Sequence, residues 1–411
     1  MGKISILAAM TGLVFALSAT TIIAEDFPAL RATVESLADL TTAPAFANAE
    51  GFESTDHLKA IYFNGLDWKG KPTKVFAWLG LPENCKGKVP GVVLVHGGGG
   101  SAFRLWVQKW NEKGYAAISI AVEGQTDRKQ GNAWQRHPWA GPKRAGIYGD
   151  SAQPLKDQWM YHAVADTILA NSLIRSLPEV DEAKVGVMGI SWGGVITSTV
   201  MGIDPRFAFA IPVYGCGNLT KAANQYGQAL GKNELYQQVW DPLIRLNRAK
   251  MPTLWLSWPQ DQHFPMDKLA ACYGMMPGNT MVSLIPKMGH GHAPPWNKPD
   301  SYAFADSIVQ DGKPWCRQVG NAMESDVYSV TFASSKPLVD AVLVSTTGTG
   351  ITGARNWIES PAELKSTGNS WQASARLPPK TTAWFVNVHA DGLTASSKYQ
   401  QKQPTVVTDS P

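Results

Sequence analysis

The stretch that decides the fold is VGVMGISWGG, residues 185–194, where an apolar run leads directly into the pattern Gly-x-Ser-x-Gly. A serine held on a sharp bend between a strand and a helix needs small residues two positions before and after it, and Gly189 and Gly193 meet this need. The helical sequence VITSTV follows at once. This context predicts that Ser191 is the exposed nucleophile of an acyl-transfer reaction.

Short β-rich runs alternate with helical segments on both sides of this bend, from about residue 55 to 310. Runs such as GVVLVHG at 91–97 and PTLWLSW at 252–258 are continuously apolar, as in strands buried on both faces of a parallel sheet. The pattern predicts a mostly parallel α/β sheet with an antiparallel start. After about residue 320 the runs alternate in period two between turn residues, which predicts a small all-β sandwich.

The chain begins with the pattern of a secretory signal peptide: a short positive start, the apolar run at 4–17 and small residues after it. The run is too short to span a bilayer, so we expect cleavage after Ala24, a secreted or periplasmic protein, and no stable membrane insertion. An N-terminal anchor helix is the alternative. The predicted organisation is a signal peptide over 1–24, an α/β catalytic domain over 25–318 and a β-sandwich domain over 319–411.

Composition excludes some functions. The 411 residues carry 37 Lys plus Arg against 33 Asp plus Glu, a formal net charge of +4, which argues against a nucleic-acid partner. An exported chain can oxidise its cysteines, and four of them allow three pairings, while buried free thiols are an equal alternative. The four are Cys85, Cys216, Cys272 and Cys316.

The stretch HGGGG at residues 96–100, directly after the apolar VVLV, contains a glycine run that offers backbone donors for an oxyanion. Without Cβ atoms, several N–H groups of such a run can turn toward one anion. We expect the oxyanion hole to consist of the amides of Trp192 and Gly98, with Gly97 or Gly99 as alternatives for the second donor. No Lys follows the run in the spacing of a phosphate-binding loop.

The acid and the base are expected in the chain order Ser, acid, His. Asp261 follows the predicted strand at 252–258, and His290 follows the next one at 281–287. Both side chains are therefore predicted to reach Ser191 at the carboxyl edge of the sheet. His290 would take the serine proton, and Asp261 would orient the imidazole.

Other acids and histidines compete for these roles. Asp267 lies at the start of a predicted helix, where an acidic residue is ordinary capping. His292 is the rival of His290, which we prefer because it comes first after the strand. His263 is expected to be a loop side chain near the cleft. Structural or exposed roles are expected for the histidines that fit no triad order, namely His57, His137, His162 and His389.

The residues show no metal-ligand pattern: no His, Asp or Glu cluster has zinc spacing. We therefore expect no catalytic metal and no cofactor. A long segment at 124–154 is expected to wall the cleft. Aromatic platforms for a sugar ring are predicted near strand ends, with core packing as the alternative, at Trp134, Trp139, Trp258 and Trp296.

Several motifs in this order resemble a known family. They are HGGGG-x-AF at 96–103, the Gly-x-Ser-x-Gly bend at 189–193, MPTLWL-x-W-x-x-D-x-x-FP at 251–265 and MGHGH-x-PPW at 288–296. Together they look like bacterial secreted acetyl xylan esterases and deacetylase-like hydrolases, which adjoin the dienelactone hydrolases and prolyl oligopeptidases. Dienelactone hydrolases use a cysteine nucleophile, and Ser191 departs from that pattern.

The resemblance implies the α/β-hydrolase fold over about residues 50–310. With the candidate triad, it implies a serine esterase acting on short-chain esters, acetyl esters first, of a small molecule or a carbohydrate. A serine peptidase of the prolyl oligopeptidase type would use the same three residues. A non-catalytic binding protein on a hydrolase scaffold is the third alternative, which the intact set of Ser191, Asp261 and His290 disfavours.

Overall fold

The computed structural model of the protein describes residues 26–368 and 370–402, so the predicted signal peptide lies outside the described residues. Its first part is an α/β layer structure. The strands there are β1 Phe46–Asn48, β2 Leu58–Asn64, β3 Lys74–Gly80, β4 Val89–Val95, β5 Ala116–Ile120, β6 Gln125–Gln130, β7 Ala133–Arg136, β8 Val180–Ile190, β9 Ala210–Val213, β10 Thr253–Ser257 and β11 Thr280–Leu284.

Helices pack against this sheet. The α-helices are α1 Phe27–Glu35, α2 Arg104–Asn111, α3 Trp159–Arg175, α4 Trp192–Val200, α5 Gln225–Leu230, α6 Met266–Gly274, α7 Ala293–Trp296 and α8 Asp300–Asp311. Short 3₁₀ helices cover Ser36–Asp39, Leu155–Asp157, Leu219–Lys221, Pro242–Ile244, Leu246–Arg248 and Thr352–Ala354, and a π-helical turn covers Tyr236–Trp240.

The central sheet has the strand order β1-β2-β3-β5-β4-β8-β9-β10-β11. The strands from β5 to β11 run parallel, and β1, β2 and β3 pair antiparallel, as the sequence predicted. β4 and β8 are buried along their carboxyl halves because helices cover both faces. The hairpin of β6 and β7 stands apart from this sheet.

The last part of the chain is all-β. Its strands are β12 Cys316–Glu324, β13 Val327–Ser334, β14 Asp340–Thr346, β15 Ile358–Thr367, β16 Ser370–Arg376, β17 Ala383–Ala390, β18 Leu393–Ser396 and β19 Gln400–Gln401. β15 belongs to two layers, because its first half pairs with β14 and its second half with β16. The alternating burial along β13, and the contact of Tyr328 with Trp384 on β17, show the layers packing together.

The two parts share backbone pairing. β18 lies antiparallel beside β11, with Val282 opposite Ser396. The Ser396 hydroxyl accepts a hydrogen bond from the Leu284 amide at 2.8 Å, and Asn387 donates to the Leu284 carbonyl at 3.0 Å. The α/β fold with a C-terminal β region is thus confirmed. The predicted boundary at 318 falls inside β12, and the division into domains stays a prediction.

Candidate active site

The bend that carries Ser191 follows from close backbone packing. Ser191 connects β8 to α4 with φ of 59°, a left-handed conformation that non-glycine residues rarely adopt. A side chain on Gly189 would overlap the carbonyl of Gly193, and one on Gly193 would lie 2.7 Å from the His96 carbonyl oxygen. Only glycine fits at both positions, and the bend lifts the serine above the strand ends.

His290 joins Ser191 to Asp261. Its Nε2 lies 3.0 Å from Ser191 Oγ, and its Nδ1 lies 2.8 Å from Asp261 Oδ2. The serine follows β8, the acid follows β10 and the histidine follows β11, so the three come from the carboxyl ends of different strands. The structure therefore brings together the three residues that the sequence selected.

The acid is buried and fully bonded. Asp261 is 1% exposed, and its Oδ1 accepts hydrogen bonds from the amides of His263 and Phe264, both at 2.8 Å. Its Oδ2 also accepts from the Trp258 indole N–H at 3.1 Å. These donors compensate for the lost hydration of a carboxylate and fix its direction. The rival Asp267 instead pairs with Lys268 in the first turn of α6.

Aromatic rings hold the imidazole in place. Tyr214 stacks on His290 with ring centroids 4.5 Å apart, and its hydroxyl donates to the Gly289 carbonyl at 2.6 Å. Phe264 lies nearly parallel at 6.2 Å, and the His263 ring approaches to 4.9 Å. Burial and the neighbouring His290 lower the pKa of His263. Sequence reasoning missed Tyr214, because nothing local marks its contact with a residue after β11.

His292, the rival candidate for the catalytic base, holds the backbone of the glycine loop. Its Nε2 accepts the hydrogen bond of the Gly97 amide at 2.9 Å. The Gly97 carbonyl lies 2.7 Å from His96 Nδ1, so both backbone polar groups of Gly97 are held by histidine side chains. Burial lowers the pKa of His292 to about 4, which keeps Nε2 free to accept near neutral pH. The Gly97 amide is thereby occupied, which favours Gly98 among the three glycines weighed for the oxyanion hole.

The two expected oxyanion donors lie next to each other. Trp192 is the first residue of α4, where amides have no partner within the helix, and a Cβ on Gly98 would be 3.2 Å from its Cδ1. Arg144, which sequence reasoning missed, lies against both residues. Its guanidinium is 5.1 Å from the Trp192 ring centroid, and its Nη2 would be 2.9 Å from a Cβ on Gly98. Arg144 also pairs with Glu123 at 3.3 Å.

The tryptophans predicted as sugar platforms occupy different settings. Trp258 is half-buried, and its indole N–H donates a hydrogen bond to Asp261. Trp296 is 7% exposed and packs on Phe103, which leaves it little surface for a ligand. Trp139 is 45% exposed, with Lys74 Nζ 4.5 Å above its ring.

The remaining histidines bond or pack elsewhere. His162 contacts the Lys156 carbonyl at 2.9 Å, His389 pairs with Asp340, and His137 packs against Tyr62 and Trp139. His57 is exposed. Within residues 26–368 and 370–402, no group of three or more His, Cys, Asp or Glu is placed to hold a metal ion. The four cysteines are free thiols, so the alternative of disulfides is not realised in this structure.

The C-terminal β region reaches the candidate active site through its 3₁₀ turn, Thr352–Ala354. Gly353 lies close to the acid loop, residues 258–265, which carries Asp261 between β10 and α6. A Cβ on Gly353 would be 2.7 Å from the Gln262 amide nitrogen and closer still to the Asp261 carbonyl. The Thr352 hydroxyl accepts from the Met266 amide at 2.8 Å. The acid loop is therefore packed between β10, α6 and this turn.

The strand order, the bend at Ser191 and the helices on both faces define an α/β-hydrolase fold. Residues 18–219, a little under half of the chain, match the family described as acetyl xylan esterase (AXE1), which confirms the resemblance seen in the motifs. The match supports a hydrolase of the esterase type. None of the helices in the described part of the chain is both long and apolar enough to cross a bilayer.

Two solved structures show the same fold. Acetyl xylan esterase 1 from Thermoanaerobacterium sp. JW/SL YS485 is 19% identical with a TM-score of 0.53, covering 65% of this chain and 89% of its own. Acetyl xylan esterase from Paenibacillus sp. R4 is 22% identical with a TM-score of 0.52, covering 66% and 90%. At these identities the likeness establishes the fold.

Proposed function

We propose that the protein is a secreted serine esterase that hydrolyses short-chain esters, acetyl esters first, with a small or carbohydrate alcohol. The observation that carries the proposal is the hydrogen-bond chain from Ser191 through His290 to the buried carboxylate of Asp261. The esterase family match supports the reaction class, and the signal-peptide pattern at 1–24 supports export.

In the first half of the reaction, Ser191 Oγ attacks the ester carbonyl carbon while His290 Nε2 takes the hydroxyl proton. The carbonyl electrons move to the oxygen, and the amides of Gly98 and Trp192 donate to the resulting oxyanion. Asp261 stabilises the imidazolium through Nδ1. The tetrahedral intermediate then expels the alcohol, which receives its proton from His290, and leaves an acyl-enzyme.

In the second half, water replaces the alcohol. His290 takes a proton from the water, whose oxygen attacks the acyl carbon, and the bond to Ser191 breaks as the serine regains its proton. The products are the free carboxylic acid, acetate for an acetyl ester, and the original enzyme. Every proton transfer uses His290, whose ring is held by Tyr214 and by Asp261.

Hydrolysis of p-nitrophenyl acetate tests the proposal. The substitution Ser191→Ala is expected to lower kcat by about 10⁴-fold or more and to abolish labelling by a fluorophosphonate probe. Ser198→Ala, at a buried position in α4 where the hydroxyl donates to the Gly215 carbonyl at 3.2 Å, is the matched control and keeps its activity. A Ser191→Ala protein with most of the wild-type rate would contradict the mechanism, and casein digestion without ester turnover would assign a peptidase instead.

A further inference from the structure

A cavity of about 270 Å³ lies directly beside the predicted oxyanion hole. It opens between the glycine loop, at Gly99 and Gly100, and the hairpin of β6 and β7. Gly99 lines the cavity and follows Gly98, the residue expected to donate to the oxyanion, directly in the chain. The cavity therefore adjoins the glycine loop, where the part of a longer substrate beyond the ester can reach it.

The cavity carries excess positive charge. Lys129, Arg136 and Lys143 line it, and the acidic residue among its lining groups is Glu123, whose carboxylate already pairs with Arg144 at 3.3 Å. Both lysines are exposed, and neither forms an ion pair with any residue in 26–368 or 370–402. Arg136 is held by the Gly141 carbonyl at 2.5 Å and by that of Glu123. The cavity is thus lined by two lysines without an ion-pair partner among the described residues and by one arginine that is held by backbone carbonyls.

One wall of the cavity is a tryptophan in a fixed orientation. The Trp134 indole N–H donates to the Gly99 carbonyl at 2.8 Å, and its ring meets Phe103 edge-on at 6.4 Å. Lys129 Nζ lies 5.0 Å from the centroid of the same ring. An aromatic ring beside ammonium groups combines a surface for the apolar face of a sugar with donors for an anionic substituent.

We infer that this cavity binds a carboxylate-bearing sugar, a uronic acid residue, in the carbohydrate whose ester is cleaved. The inference rests on the proposed function and deepens it by naming the substrate class. The carboxylate lies between Lys129 and Lys143, and the pyranose ring lies against Trp134. A neutral sugar of the same size gains the ring contact but supplies no counter-ion for the two ammonium groups, so the acidic substrate is preferred.

The test compares two acetylated oligosaccharides of equal length, one with a uronic acid residue and one in which that carboxylate is a neutral primary amide. The wild-type protein is expected to show a kcat/KM about tenfold higher for the acidic substrate at low salt, and the preference should shrink as ionic strength rises. Equal kcat/KM values for the two oligosaccharides would overturn the inference, and this comparison requires no variant.

A double variant, Lys129→Gln with Lys143→Gln, should lower kcat/KM for the acidic oligosaccharide to the value for the neutral one. The matched control is Lys86→Gln with Lys88→Gln, which removes the same charge from exposed positions before β4, at the opposite end of that strand from the glycine loop. A preference that survives in the first variant, or is lost in the control, would contradict the assignment. Absence of p-nitrophenyl acetate hydrolysis in the wild type would instead overturn the esterase proposal itself.

Discussion

Gly353 offers a test of whether the C-terminal β region positions the acid. In Gly353→Ala the new methyl group would lie 2.7 Å from the Gln262 nitrogen, whereas ordinary contacts fall between 3.4 and 4 Å. The loop that carries Asp261 or the 3₁₀ turn must therefore move by at least about 1 Å, because the new methyl group would lie closer still to the Asp261 carbonyl. The bond between His290 and Asp261 is 2.8 Å long, so a displacement of this size in the loop breaks it.

Misplacement of a catalytic group by about 1 Å costs up to about 10²-fold in rate. We expect Gly353→Ala to lower kcat for p-nitrophenyl acetate by about that factor with little change in KM, because the loss is in orientation of the base. Steady-state kinetics and the thermal unfolding midpoint would be measured together. Gly320→Ala is the matched control, since a Cβ at Gly320 on β12 meets nothing within 4 Å. A folded Gly353→Ala protein with kcat within twofold of wild type would refute the reasoning.

Two further substitutions probe buried polar groups. Trp258→Phe removes the indole donor to Asp261, so we expect kcat for p-nitrophenyl acetate to fall about tenfold. A raised KM for acetylated oligosaccharides with unchanged kcat would instead assign this ring to sugar binding. Asp166, on α3, has an Oδ1 without a hydrogen bond among the described residues, and burial raises its pKa to about 8. The raised pKa means that the wild type loses stability as pH rises from about 4 to about 8, so the stability advantage of Asp166→Asn should grow over that range by up to about 1.4 kcal/mol per pH unit. Urea unfolding of both proteins at pH 5 and pH 8 measures it, and an equal difference at the two values would contradict the expectation.

Local sequence predicted most of the α/β layer and the candidate triad. The bend at Ser191 is encoded within five residues, because Gly189 and Gly193 are needed for backbone packing that any chain in this conformation must satisfy. Asp261 and His290 were found because each follows an apolar strand in a fixed chain order. Each of these signals is contained in a short stretch of neighbouring residues, so the sequence was enough to predict them.

Contacts between distant segments escaped prediction. The hydrogen bond from Gly97 to His292 joins residues 195 positions apart, and no sequence pattern near either residue predicts it. Arg144 lies in the segment expected to wall the cleft, but its position against Gly98 depends on how that segment folds back. The contact between Trp258 and Asp261 is different, because the two residues are three positions apart in a turn. A short-range contact of this kind could have been predicted from the sequence.

The pairing of β18 with β11 has a consequence for any attempt to shorten this protein. A chain cut after residue 318 would leave the main-chain N–H and C=O groups of Thr280–Leu284 bare along one side, a template on which other polypeptides can add strands. It would also strip the Asp300 carboxylate of the Thr394 amide that donates to it at 2.8 Å. The C-terminal β region therefore covers the β11 edge of the central sheet and protects the protein against aggregation through that edge.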